Sequence, residues 1–114
     1  MTALLKETEL QKNYLDNETV DTIYFGGGTP SLLQISDLQF QIEKIRQTFT
    51  VADVAEVTLE ANPDDIDEEK LGGWKKTGIN RLSIGVQSFF EEDLLWMSVN
   101  KISSNIAEIF FCQL

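Results

Sequence analysis

Apolar positions along the chain gather into three short β-favouring runs, each followed by a stretch with helical signals. The runs are VDTIYF (20–25), VAEVTLE (54–60) and NRLSIGVQ (80–87). Ahead of the first, TALLKETELQKNYL reads as a helix. Behind it, Leu38, Ile42, Ile45 and Phe49 recur at intervals of four, three and four, which places them on one helical face. Ser36-x-x-Gln39 has the capping-box pattern that would start that helix. After the second run, Asp67 can cap a helix carrying Leu71 and Trp74, and Gly78 can close it. Gly72 and Gly73 sit inside this helix, and each weakens it by about 1 kcal/mol relative to alanine. Ser88-x-x-Glu91, followed by Glu92 and Asp93, signals one more helix start after the third run.

Strands alternating with helices predict a parallel sheet of α/β class. Ile23, Phe25, Val57, Leu59, Leu82 and Ile84 are apolar residues of the runs, expected to line an inner sheet face left without cover. A sheet of three such strands has two unpaired edges, and unpaired backbone rows template association. The expectation is self-association through open sheet edges, or a sheet patched by Ile102, Ile106, Ile109 and Phe110, which have helical spacing near the end of the chain.

Composition narrows the chemistry. The 114 residues fit about one domain. A net charge of −10 argues against nucleic-acid or anionic-membrane partners. No apolar run approaches the roughly 20 residues of a membrane span, and the first residues lack a signal-peptide pattern. With a single cysteine, Cys112, no internal disulfide is possible, which fits a cytoplasmic location. One cysteine and no histidine give neither a zinc site nor an iron–sulfur cluster, and no Ser-His or Cys-His nucleophile pair. No catalytic or metal-ligating residue is therefore assigned.

In parallel α/β proteins, ligands sit at the carboxyl ends of the strands. Gly26, Gly27, Gly28 and Thr29 follow the first run, Glu60 ends the second and Gln87 ends the third. Neighbouring strands lie about 4.8 Å apart, so one small polar ligand can touch all three ends. Glycines let backbone amides approach a ligand, Thr29 adds a hydroxyl, Glu60 accepts from an ammonium or from ribose hydroxyls, and Gln87 donates and accepts. Taken singly, each has a structural explanation: a tight turn, a solvated strand end, a helix cap. Arg81 reads as an ion-pair residue, and Trp74, Phe89, Phe90 and Trp96 as core or interface. The convergence of three features on one sheet edge favours a binding site for a zwitterionic or sugar-bearing molecule. No P-loop lysine or G-x-G-x-x-G spacing is present for a polyphosphate.

TIYFGGGTPSLL, EVTLEANPDDIDEEKL and GINRLSIGVQSF, in this order and spacing, resemble the oxygen-independent coproporphyrinogen III oxidase-like family of radical S-adenosylmethionine enzymes, nearer its heme-chaperone-like branch. The resemblance covers roughly residues 1–97, and 98–114 depart from it as a divergent tail. It implies a partial parallel β/α barrel of three β/α units, and S-adenosylmethionine held by Gly27, Gly28, Thr29, Glu60 and Gln87. It also implies a [4Fe–4S] cluster on a Cys-x-x-x-Cys-x-x-Cys loop, and a porphyrinogen or heme as the substrate or cargo of full-length members. This chain lacks the cysteine motif, and Val99 stands where the family has an arginine that contacts the cofactor. The expectation is an internal piece of a radical S-adenosylmethionine oxidoreductase resembling coproporphyrinogen III oxidase, a piece that binds S-adenosylmethionine weakly and is inactive by itself. A heme-transfer chaperone of the same family and a non-catalytic scaffold are the alternatives.

Overall fold

The computed structural model describes residues 2–85. Helix α1 spans Thr2–Leu10, strand β1 Val20–Phe25, helix α2 Ile35–Thr48, strand β2 Val51–Ala61, helix α3 Glu68–Thr77 and strand β3 Arg81–Ile84. Two single 3₁₀ turns, Pro30–Leu32 and Pro63–Asp65, follow β1 and β2. Residues 86–87 of the third run, the capping box at Ser88 and the tail at 98–114 lie outside the described residues.

The strands form one parallel sheet in the order β1-β2-β3. Ile23 pairs with Val57, Phe25 with Leu59, Leu59 with Leu82 and Ala61 with Ile84, so these residues share one face. Ile23, Val57, Leu59 and Ala61 are buried in a single core with Leu38 and Ile42 of α2, Trp74 of α3 and Ile79. Phe25, Ile45, Leu71 and Leu82 pack around it. The sequence-based assignment of the apolar strand residues to an uncovered inner face is therefore corrected. Ile23, Val57 and Leu59 are buried under the helices with Phe25 and Leu82 packed around them, because the stripes of α2 and α3 find their apolar partner there. The opposite face carries Thr22, Tyr24, Glu56, Thr58, Glu60, Arg81 and Ser83.

Three boundaries differ from the sequence reading. Helix α1 stops at Leu10, and residues 11–17 run in turns that reach positive φ at Asp16 and Asn17 (46° and 65°). These residue types tolerate left-handed backbone better than most. Strand β2 starts three residues earlier than the apolar run. Val20 pairs with Val51, but Thr22 pairs with Glu56, so the register shifts and leaves Val54 92% exposed. That irregularity hides the early part of the strand from period-two reading. Finally, the capping box at Ser36 does not form. Helix α2 begins two residues sooner, with Gln34 rather than Ser36 at its N-cap and making no side-chain bond. The Gln34 carbonyl accepts from Asp37 N at 3.0 Å and Leu38 N at 3.2 Å, while Gln39 Nε2 donates to Glu43 Oε1 at 2.8 Å. Ile35 belongs to the first turn because it packs against the core beside Gly73 of α3.

Helix α3 follows its signals. Asp67 Oδ1 accepts from Lys70 N at 2.7 Å at the start. Gly78 ends the helix at φ +97°, its amide donating to the Lys75 carbonyl at 3.1 Å. Ile79 N bonds Trp74 O at 3.2 Å, and the Ile79 side chain is buried beyond the glycine, the hydrophobic contact that accompanies such helix ends. Asn80 then extends the sheet with its side chain. Its Oδ1 accepts from Val57 N at 2.8 Å and its Nδ2 donates to the Ala55 carbonyl at 3.0 Å.

Candidate functional site

The chain leaves β1 and β2 at the same edge of the sheet, and each exit is a short loop into a proline-led 3₁₀ turn. Proline at the first position of a turn has its φ already set and loses no needed amide. Ser31 Oγ donates to the Asp65 carboxylate at 2.6 Å and ties the two turns together. Between them and the end of β3 lies a cleft of about 250 Å³, lined by residues 28–30, 60–62 and 83–85. Three strand ends thus meet at one site, as their adjacency in the sheet requires.

The three glycines after β1 have different reasons to be glycine. A Cβ on Gly26 would run into the Tyr24 ring and lie 3.2 Å from Glu60 Cδ, so this position is sterically closed. At Gly27 and Gly28 a Cβ would meet nothing within 4 Å, but φ is +80° and +68°. Left-handed backbone, not crowding, selects glycine there. The turn aims the Gly27 amide back at the sheet, where it donates to Glu60 Oε2 at 3.1 Å.

Glu60 is the electrostatic centre. Its Oε1 accepts from the Tyr24 hydroxyl at 2.5 Å and its Oε2 from Gly27 N. The Tyr24 hydrogen bond first, and the Gly27 amide second, hold the Glu60 carboxyl below its ordinary range, while the same bond pushes the Tyr24 phenol up. At neutral pH Glu60 is therefore an anion with two of its roughly four acceptor sites filled. What remains suits a cationic or hydroxyl donor at the cleft.

Gly28, Thr29 and Glu60 all line the cleft, and Gly27 touches it through the Glu60 carboxylate. Gln87 lies outside the described residues. Arg81 pairs with Glu56 at 3.0 Å, both side chains about half exposed, and does not line the cleft. Tyr24, Asn62 and Ser83 were not singled out by sequence reasoning. Their signal is positional: Tyr24 and Glu60 stand on the polar face, and Ser83 is the register partner of Glu60. That information exists only once the register is known. Among the described residues no cluster of acidic, cysteine or histidine side chains suits a metal ion, and no helix is long and apolar enough to cross a membrane.

The model of the Radical SAM superfamily matches residues 6–108. The heme chaperone HemW of Escherichia coli (strain K12) is 41% identical over 91 residues, which are 80% of this chain and 24% of that protein. HemW of Buchnera aphidicola subsp. Schizaphis graminum is 40% identical over 92 residues, 81% of this chain and 24% of its own. The mitochondrial radical S-adenosyl methionine domain-containing protein 1 of Danio rerio is 40% identical over 91 residues, with 80% and 20% covered. Among solved structures, coproporphyrinogen III oxidase (HemN) from Escherichia coli superposes with a TM-score of 0.76 at 25% identity, over 95% of this chain and 27% of that one. The chain thus spans about a quarter of the length of the proteins it matches. The archaeal Elp3 of Methanocaldococcus infernus shares the fold, with a TM-score of 0.66 at 15% identity.

Proposed function

Since the chain belongs to the Radical SAM superfamily, we propose that its strand-end cleft is part of a pocket for S-adenosylmethionine. The observation that carries this reading is the anionic Glu60, fixed by Tyr24 and Gly27 beside the left-handed turn at Gly28 and the hydroxyl-bearing Thr29. A carboxylate with open acceptor sites complements an α-ammonium. The turn leaves the backbone around Gly28 free of side-chain bulk, so a ligand can lie along it. At about 250 Å³ the cleft is smaller than the roughly 300–1,000 Å³ of a complete small-molecule pocket, which suits one end of the cofactor. Thr29 and Gln87 complete the set that the sequence pattern assigned.

When bound to a reduced [4Fe–4S] cluster, S-adenosylmethionine supplies a carbon radical. The donor set for such a cluster does not fit this chain: one cysteine and no histidine cannot supply three thiolates. The role assigned to these residues is accordingly to bind and orient. Glu60 holds the cationic end, and the Gly28–Thr29 segment supports its flank.

For the whole protein, the two HemW relatives at 40–41% identity are named heme chaperones, the Danio rerio relative at 40% is named only for its radical S-adenosyl methionine domain, and the oxidase structure stands at 25%. We infer a heme-handling protein of this branch, with a coproporphyrinogen-oxidase-like oxidoreductase as the second reading. A chimera in which this chain replaces the matching quarter of Escherichia coli HemW should keep heme association. Loss of heme together with a retained fold would favour the oxidase reading.

The cleft itself is tested by calorimetry on the chain with S-adenosylmethionine. Binding of about millimolar strength, near −4 kcal/mol, is expected. Glu60→Ala removes the anion and Gly28→Val forces a β-branched residue to positive φ, so both should weaken binding further. Micromolar affinity indifferent to both substitutions would exclude this site.

A further inference from the structure

Tyr24 contributes to none of the glycine, threonine or glutamate signals that mark the cleft, and at 57% exposure it adds little to the core. Its position is nevertheless closely determined. It stands opposite Thr58 in the register, one diagonal step from Glu60 on the polar face. Its ring occupies the space where a Cβ on Gly26 would stand. Its hydroxyl donates to Glu60 Oε1 at 2.5 Å while the Gly27 amide holds Oε2 at 3.1 Å. Each carboxylate oxygen thus has its own donor, and the two donors come from either side of Gly26. A glutamate anchored at both oxygens samples few rotamers, whereas one anchored at a single oxygen swings.

We propose that Tyr24 is a positioning residue: its hydroxyl fixes the Glu60 carboxylate at the cleft and so sets how tightly the cleft takes the cationic end of S-adenosylmethionine. This rests on the reading of the cleft given above for the ligand, but not for the hold on Glu60. Gly26 is part of the same device, because only a residue without a Cβ leaves room for the tyrosine ring.

The test uses the full 114-residue chain. Tyr24→Phe keeps the ring and removes the hydroxyl. Carbon-detected NMR follows the Glu60 carboxyl titration, and calorimetry with S-adenosylmethionine gives the affinity in wild-type and Glu60→Gln backgrounds. Tyr24→Phe is expected to raise the Glu60 midpoint and to weaken the ligand roughly two- to tenfold, the range for freeing one side chain. In the Glu60→Gln background it should have no further effect. An unmoved midpoint, or an equal loss in the Glu60→Gln background, would overturn the proposal. Equal binding by wild type and Glu60→Gln would instead refute the cleft as the S-adenosylmethionine site, and the midpoint would still decide what Tyr24 does. Should Tyr24→Phe disturb the fold, Tyr24→Leu removes the hydroxyl in a different side chain, and the midpoint should rise in the same direction.

Discussion

At the scale of single residues, charge at the cleft depends on two hydrogen bonds to one carboxylate. Both donors favour the ionised form, so Glu60 has a folded-state pKa below the ordinary 4.5, with Tyr24 as the larger cause. The sign follows directly. A depressed carboxyl pKa contributes stability that is present above the ordinary value and is lost as pH falls through the folded value. The Tyr24 phenol is raised above its ordinary 10.0 by the same bond, so at neutral pH it keeps the proton that it donates to Glu60. The expected outcome is a Glu60 carboxyl midpoint below 4.5, with the Gly27 amide resonance moving at the same midpoint because it reports on the same oxygen pair. A midpoint at or above 4.5 would mean that the two donors do not hold the carboxylate in solution. Part of this was legible beforehand, since glycines and Glu60 at strand ends follow from the order of the runs. The Tyr24 bond was not, because the two residues are 36 positions apart and meet only through the register of β1 on β2.

At the scale of elements, α3 offers an internal control. Gly72 and Gly73 both sit within the helix, where alanine is better by about 1 kcal/mol. A Cβ on Gly72 meets open space, but one on Gly73 collides with the end of the Ile35 side chain from α2. Gly72→Ala should therefore stabilise the chain by about 0.5–1 kcal/mol in urea denaturation, from propensity alone. Gly73→Ala should gain less or lose, because Ile35 must leave its packed rotamer. In an Ile35→Ala background Gly73→Ala should recover the gain. Equal effects at the two glycines would show that α2 and α3 are less closely apposed than here. The N-cap at Asp67 and the end at Gly78 were readable because capping is local chemistry. The start of α2 was not, since the packing of Ile35 outweighed a local capping preference of about 1 kcal/mol. Helix α1 buries none of its residues and meets α2 through Gln41 Nε2 to Thr8 at 3.0 Å and Lys44 to Glu9 at 3.6 Å.

At the scale of the whole molecule, the net charge of −10 stands beside the ion pairs Arg81–Glu56 and Lys44–Glu9 among the described residues. Both are exposed enough to contribute about 0–1 kcal/mol each. Self-repulsion therefore outweighs local attraction, and screening should help. Raising salt from about 10 to about 150 mM shortens the Debye length from about 30 to about 8 Å. The melting temperature is expected to rise across that series, and a fall would mean that the ion pairs dominate. Among the described residues β1 and β3 each pair with one strand only, so each has an open edge. Static light scattering over the same series should show association growing with salt if those edges pair. The polar face opposite the helices does not add an apolar drive to that association, contrary to what the strand composition alone suggested.

By itself the sequence determined the kind of elements and their order, because helix and strand periodicities, caps and turn residues act over a few neighbouring positions. It also placed Gly28, Thr29 and Glu60 at one edge, because parallel strands in succession must leave the sheet on the same side. Only the tertiary structure decided which sheet face the helices cover. The apolar alternation of β1 and β2 is compatible with a core above or below the sheet until α2 and α3 bring Leu38, Ile42 and Trp74 to one side. It alone decided the register, and with it the meeting of Tyr24, Gly27 and Glu60. Those contacts join residues more than 30 positions apart, and their geometry is set by packing that no local pattern encodes.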